Sequence, residues 1–358
     1  MPTLKTSHKL LSFWFFALIL ILACGGTAPA PAPTQSEAIP ENTATPAAPA
    51  PTQTEAIQEN TATPTAPAPT QTEAILQDTA TPEVSISSGD HTRTLTFDGL
   101  ERSYILHIPP DYDPSQPTPL ILAYHGIKLN AQEMMRISGF SAQADKDNFL
   151  VAYPEGSGTN QSWNGGECCG EAMMKKVDDV GFTRAMIEDA ANFVNIDRSR
   201  IYATGFSNGA IMVYRLACDL ADLIAAIGPV AAAPATSLCN PSRPVSVIHF
   251  HGDADRLNPY EGGTISGGRE FMSVEDGIDL WVSLNSCPTQ AQETQTGNII
   301  HRIYAPCQQN SAVELYKILG GEHAWPGGEA VSQQVGEPTD EIDATALMWA
   351  FFKEHARP

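Results

Sequence analysis

Arg200-Ile201-Tyr202-Ala203-Thr204-Gly205-Phe206-Ser207-Asn208-Gly209-Ala210-Ile211-Met212-Val213-Tyr214 runs from an apolar, β-rich segment through G-x-S-x-G into a helix-forming segment. Strand, G-x-S-x-G and helix, in that order, make a nucleophile elbow. A serine on so sharp a turn projects its hydroxyl above the sheet. Side chains at Gly205 and Gly209 would collide with the neighbouring strand and helix. The first helical N–H groups point at the same place, so the Asn208 amide is placed to donate to an oxyanion. The plain alternative is a strand-to-helix turn with a serine cap.

Outward from this turn the chain alternates. Apolar strand candidates span 119–124, 149–153, 200–204, 224–230, 245–250 and 313–318. Helix-like stretches cover 131–137, 179–194, 208–220, 274–284 and 341–355. Two alternating runs, 92–97 and 103–108, flank Asp98-Gly99 as a hairpin. Apolar strands interleaved with helices predict a mostly parallel sheet covered on both faces. With the elbow, the fold class is an α/β-hydrolase occupying residues 85–358.

In that fold the order is Ser, Asp, His. The run Val245 to His251 ends in Gly252-Asp253-Ala254-Asp255, which offers two acids; Asp255, further into the loop, is preferred. The base comes after the last strand, where His323 sits between Gly320-Gly321 and Gly327-Gly328. His323 takes the Ser207 proton and Asp255 fixes its tautomer. The loop Tyr124-His125-Gly126-Ile127 supplies the second oxyanion donor, the Ile127 amide, with His125 supporting the loop. Trp163 and Trp325 are expected to form a substrate wall, and Trp281 and Trp349 to pack. His249-x-His251 would share one side of a strand, but lacks further ligands; no metal and no cofactor are expected.

Gly205-Phe206-Ser207-Asn208-Gly209-Ala210, His125-Gly126, His251-Gly252-x-Ala254-Asp255 with Pro259-Tyr260-x-Gly262-Gly263, and Gly321-x-His323-x-Trp325-Pro326-Gly327 occur in order. Trp163-Asn164 through Cys168-Cys169 to Asp178-Asp179-Val180-Gly181-Phe182 joins them. Together they resemble the polyhydroxybutyrate depolymerase and feruloyl esterase group, which is carbohydrate esterase family 1-like. The resemblance covers essentially the whole folded domain. It implies a secreted serine esterase with Ser207, Asp255 and His323 as its triad, and leaves the polymer open. The group often has Thr where Asp253 stands, and a bulkier or Cys-containing step after His-Gly.

Upstream, Lys5 and Lys9 precede an apolar run, Phe13 to Ala23, that is short for a membrane span. It ends Ile21-Leu22-Ala23-Cys24-Gly25-Gly26, which resembles a lipobox. Residues 1–23 are thus read as a lipoprotein signal and Cys24 as the lipidated N-terminus, holding the enzyme at the cell surface. Residues 24–84 form a Pro/Ala/Thr-rich tether with an 18-residue period, as in Pro33-Thr34-Gln35, Pro51-Thr52-Gln53 and Pro69-Thr70-Gln71. No unit carries enough apolar residues to bury, so a solvated coil of roughly 40–45 Å follows.

Six further cysteines in an exported domain imply disulfides. Cys218–Cys239 and Cys287–Cys307 are the preferred pairs, leaving Cys168–Cys169 as a vicinal pair. A net charge of −21 argues against nucleic acid as a partner and favours a substrate neutral or apolar near the scissile bond. The expected protein is a monomer acting on a polymeric ester. The short stretch from Val230 to Val245 leaves little room for a lipase-type lid. A peptidase of the same fold and a non-catalytic surface binding module are the other readings.

Overall fold

The structure is a computed structural model that describes residues 86–235, 239–264, 270–332 and 335–358. By its internal contacts the chain divides into Met1–Gln77 and Asp78–Pro358, and every described residue lies in the second part. The signal, Cys24 and the whole 24–84 tether therefore fall outside the described residues.

The elements in chain order are β1 (Gly89–Phe97), β2 (Leu100–Ile108), β3 (Thr118–Tyr124), α1 (Ala131–Ser138), α2 (Phe140–Asp147), β4 (Leu150–Pro154), α3 (Gly170–Met174) and α4 (Asp179–Ala191). Then come β5 (Ile196–Phe206), α5 (Asn208–Asp219), β6 (Ala226–Val230), β7 (Ser246–Gly252), β8 (Gly263–Thr264), β9 (Glu270–Phe271) and α6 (Val274–Leu284). β10 (Gln292–Thr296), β11 (Ile299–Tyr304), β12 (Val313–Ile318) and α7 (Ala344–Glu354) complete the series.

Among the described residues one large sheet runs β1-β2-β4-β3-β5-β6-β7-β12-β11-β10. The pairs from β4 through β12 are parallel, and the outer strands at both edges are antiparallel. β5 lies near the middle, so the turn that leaves it opens at the centre of the sheet's carboxyl edge, where ligands of open α/β sheets bind.

Strand alternation sorts side chains to two faces. Leu120, Leu122, Tyr124, Ile201, Ala203 and Val247 join one core, with Phe182 and Met186 of α4, Met212 and Leu216 of α5, and Ile278 and Trp281 of α6. Ile121, Ala123, Tyr202, Ile248 and Phe250 join the other, with Met134 of α1, Phe140 of α2, and Met348 and Phe352 of α7. The parallel strands are apolar at nearly every position because both faces are covered. Helix α2 was not among the expected helices. Its sequence, FSAQADKD, buries little more than Phe140 and Ala144 and carries a weak apolar stripe. It starts from Gly139, whose φ of 66° also closes α1.

The structure pairs Cys218 with Cys239, Cys287 with Cys307, and Cys168 with Cys169. The first two close loops of 21 and 20 residues, each worth about 3 kcal/mol if the benefit is loop entropy in the unfolded chain.

Candidate active site

Ser207 follows β5 with φ 56° and ψ −119°, a conformation costly for a residue with a side chain. Neighbouring backbone enforces it. A Cβ on Gly205 would strike the Gly209 backbone, and a Cβ on Gly209 would strike the Tyr124 carbonyl. The Ser207 amide donates to Val230 O at 2.9 Å, and Ser207 O accepts from Ile211 N at 3.2 Å. Ser207 is half-buried while the residues on either side of it are buried.

The loop after β3 packs against the serine: a Cβ on Gly126 would lie 3.3 Å from Ser207 Cβ. His125, with no exposed surface, pins this loop. Its Nε2 accepts from Gly156 N at 2.9 Å, so its Nδ1 holds the proton and donates to Gly126 O at 2.7 Å. Burial pushes its pKa down to about 4, against a smaller opposing effect of the Gly126 carbonyl. Among the described residues no protein acceptor meets the Ile127 N–H.

The Asn208 side chain has a role that the G-x-S-x-G pattern does not reveal. Its Oδ1 accepts from Trp163 N at 2.8 Å, and its Nδ2 donates to Trp163 O at 3.1 Å. The Trp163 indole N–H donates to His125 O at 2.9 Å. Trp163 thus locks the elbow to the loop after β3. The expectation that it forms a substrate wall is corrected, because its side chain is fully buried. Trp325 is corrected for the same reason: it is 1% exposed, packs edge-on to Phe140 and donates to Thr345 Oγ1 at 3.0 Å. Trp281 and Trp349 pack in the cores.

The Trp163-Asn164 segment is held in turn by Asp179, whose Oδ2 accepts from Asn164 N at 2.8 Å. Its Oδ1 pairs with buried Arg102 at 2.8 Å. Burial raises the Asp179 pKa despite this partner. The run from Trp163 to Asp179 is therefore scaffold for the elbow.

On the other side, the loops after β7 and β12 interlock. Ala254 N donates to Gly321 O at 2.9 Å, and Asp253 N to Ile318 O at 3.0 Å. Asp253 Oδ1 accepts from Gly320 N at 2.6 Å, and its other oxygen lies 4.0 Å from Lys317 Nζ. Asp255 is the carboxylate beside the late histidine, with Oδ2 2.7 Å from His323 Nδ1. Its Oδ1 accepts from Leu257 N at 2.8 Å and Asn258 N at 2.9 Å. Burial alone would raise the Asp255 pKa; the His251 and His323 N–H groups outweigh it and hold the carboxyl well below the usual carboxylate range. The His323 ring lies 4.8 Å from that of Phe206, the residue before the serine.

Two strands away from the serine, a cavity of about 270 Å³ is lined by Arg102, Ser157, Gln161, Glu171 and Lys175 among others. Gly156, whose amide holds His125, borders it as well.

Residues 102–236 match the Esterase PHB depolymerase family. Feruloyl esterase B of Piromyces equi is 32% identical over 239 residues, which is 64% of this chain and 44% of that protein. NocK of Nocardia uniformis, named as an esterase, is 30% identical over 258 residues, covering 66% of this chain and 74% of that one. A bifunctional acetylxylan esterase/xylanase of Neocallimastix patriciarum is 24% identical over 233 residues, 63% of this chain and 31% of its own length. The chain thus spans less than half of the first and third of these relatives. Among solved structures, acetyl xylan esterase from Aspergillus awamori superposes with a TM-score of 0.53 at 13% identity, over 74% of this chain and 99% of that chain. The likeness is one of fold, the α/β-hydrolase fold.

Proposed function

The chain belongs to the Esterase PHB depolymerase family of carboxylic ester hydrolases, and we propose that it cleaves esters borne on a polymer or oligomer through an acyl-enzyme on Ser207. His323 Nε2 takes the hydroxyl proton as Ser207 Oγ bonds to the ester carbonyl carbon. The carbonyl oxygen becomes an oxyanion, met by the amides of Ile127 and Asn208. His323 then passes its proton to the departing alcohol as the C–O bond breaks. Water repeats the sequence and frees the acid. Asp255 keeps the proton on His323 Nδ1 and stabilises the imidazolium. The observation that carries this reading is the 2.7 Å contact between Asp255 and His323, beside a serine held at φ 56°.

The relatives named as feruloyl esterase and acetylxylan esterase favour a polysaccharide ester over an aliphatic polyester. We place the enzyme outside the cell, as a monomer held at the surface by a lipid on Cys24 and the 24–84 tether. If a Cys24→Ser protein stays membrane-bound, the anchor is elsewhere.

Initial rates of the full chain on methyl ferulate, acetylated xylan and 3-hydroxybutyrate oligomers, beside Ser207→Ala, test the assignment. Turnover of ferulate or xylan esters that vanishes in the variant is the expected result. Turnover confined to hydroxybutyrate oligomers would move the substrate to polyester. Turnover that survives in Ser207→Ala would refute the mechanism.

A further inference from the structure

His249 and His251 are two residues apart on β7, so the period of the strand puts both on the face covered by α5 and α6. Their ring centroids lie 5.4 Å apart and both side chains are buried. The ester chemistry uses neither. Among the described residues no group of three His, Cys, Asp or Glu is arranged to hold a metal ion.

A continuous string of contacts passes through them instead. The Tyr214 hydroxyl lies 2.8 Å from His249 Nδ1, and His249 Nε2 lies 3.2 Å from His251 Nδ1. His251 Nε2 lies 2.8 Å from Asn258 O and 3.5 Å from Asp255 Oδ2. The acceptors fix the direction. A carbonyl and a carboxylate only accept, so the His251 proton is on Nε2. Its Nδ1 then accepts the N–H of His249, whose own Nδ1 accepts the Tyr214 hydroxyl proton. Burial drives the His249 pKa well down, and the neighbouring His251 adds to this, so that link is neutral. Asn258 anchors the far end through its side chain, which donates to Ala231 O at 2.8 Å, just past β6.

We propose that Tyr214, His249 and His251 form a one-way hydrogen-bond array that positions the catalytic acid. It clamps the Asp255–Asn258 turn and presents a fixed N–H to the carboxylate that orients His323. His251 is a positioning residue, and Tyr214 and His249 act through it. This rests on the reading of Asp255 as the acid.

The test uses the full chain with p-nitrophenyl acetate, and rates are expressed per site titrated to completion with an organophosphate. Tyr214→Phe deletes one hydroxyl far from the serine and conserves packing. Its kcat should fall about twofold to tenfold with KM unchanged, the effect of one hydrogen bond. His251→Leu should lose about tenfold to a hundredfold, because both the N–H toward Asp255 and the clamp on Asn258 O go with the ring. His251→Gln, which retains an N–H donor, should recover part of that loss. Wild-type kcat per titrated site in both Tyr214→Phe and His251→Leu would overturn the inference. So would a His251→Gln protein as slow as His251→Leu, because packing alone would then explain the effect. A wild-type enzyme that no organophosphate titrates, or a Ser207→Ala protein of unchanged rate, would instead bring down the reading of the site on which the array depends.

Discussion

Around Ser207 the tightest constraints are backbone against backbone, braced by the Asn208–Trp163 and His125 side-chain contacts. Gly205 abuts Gly209, Gly209 abuts the Tyr124 carbonyl, and the serine amide is tied to Val230 O. Around His323 side chains take a far larger part. Asp255 gathers two backbone amides and two imidazoles, Asp253 ties down Gly320, and a Tyr–His–His string runs in behind. A site half built from backbone is fixed by steric exclusion. Its other half is fixed by polar groups that must all be satisfied at once, and such networks are costly to break singly. The two halves should therefore fail differently: steric damage on the first costs folding, and chemical damage on the second costs turnover.

Asp255→Asn should separate them most sharply. The carboxamide nearly preserves shape but not charge or tautomer control. We expect kcat to fall by about three to four orders of magnitude with thermal stability little altered in comparison. A loss confined to stability would erase the distinction between the halves.

His125→Gln probes the backbone half through pH. The unfolded chain protonates this imidazole near 6.5, whereas the folded protein resists to about 4. Its contribution to stability is whole above the upper value and falls as pH drops through that window. Urea unfolding from pH 6.5 to 4 should show a decline in the wild type that is smaller in the variant by up to about 3 kcal/mol. Parallel curves would mean that the ring is hydrated in the folded state.

Gly209→Ala drives a methyl into the Tyr124 carbonyl and should cost about 1–3 kcal/mol of stability as the strand and helix separate. The mildest effect is expected from Asp253→Asn. It weakens one hydrogen bond to Gly320 and leaves Asp255 intact, so the rate should change by less than about tenfold. A drop as deep as that of Asp255→Asn would mean that the acid had been misassigned.

The same contrast explains what the sequence made legible. Glycines that exclude side chains leave a local signature, so the elbow and the close-packed loop after β3 are legible from spacing, as is the alternation of strands and helices. Asp255 and His323 are 68 residues apart and could be named only from the order of the fold. Nothing in the sequence says which way a side chain faces. Trp163 and Trp325 lie next to the site motifs in sequence, a position that suggests a substrate wall, yet both are sealed in the scaffold. The His249-x-His251 period did announce a shared face, but not that Tyr214, on another element, would complete it. The vicinity of Asn208 to Trp163 spans 45 residues and has no local trace at all.

The central claim is that Ser207 is the nucleophile activated by His323. Rapid quenching of the full chain with p-nitrophenyl acetate, followed by peptide mass analysis, tests it directly. The account predicts one acetyl group per chain on the peptide containing Ser207, formed far more slowly in His323→Ala. An acetyl group on another residue, or one formed at the same rate without His323, would contradict it.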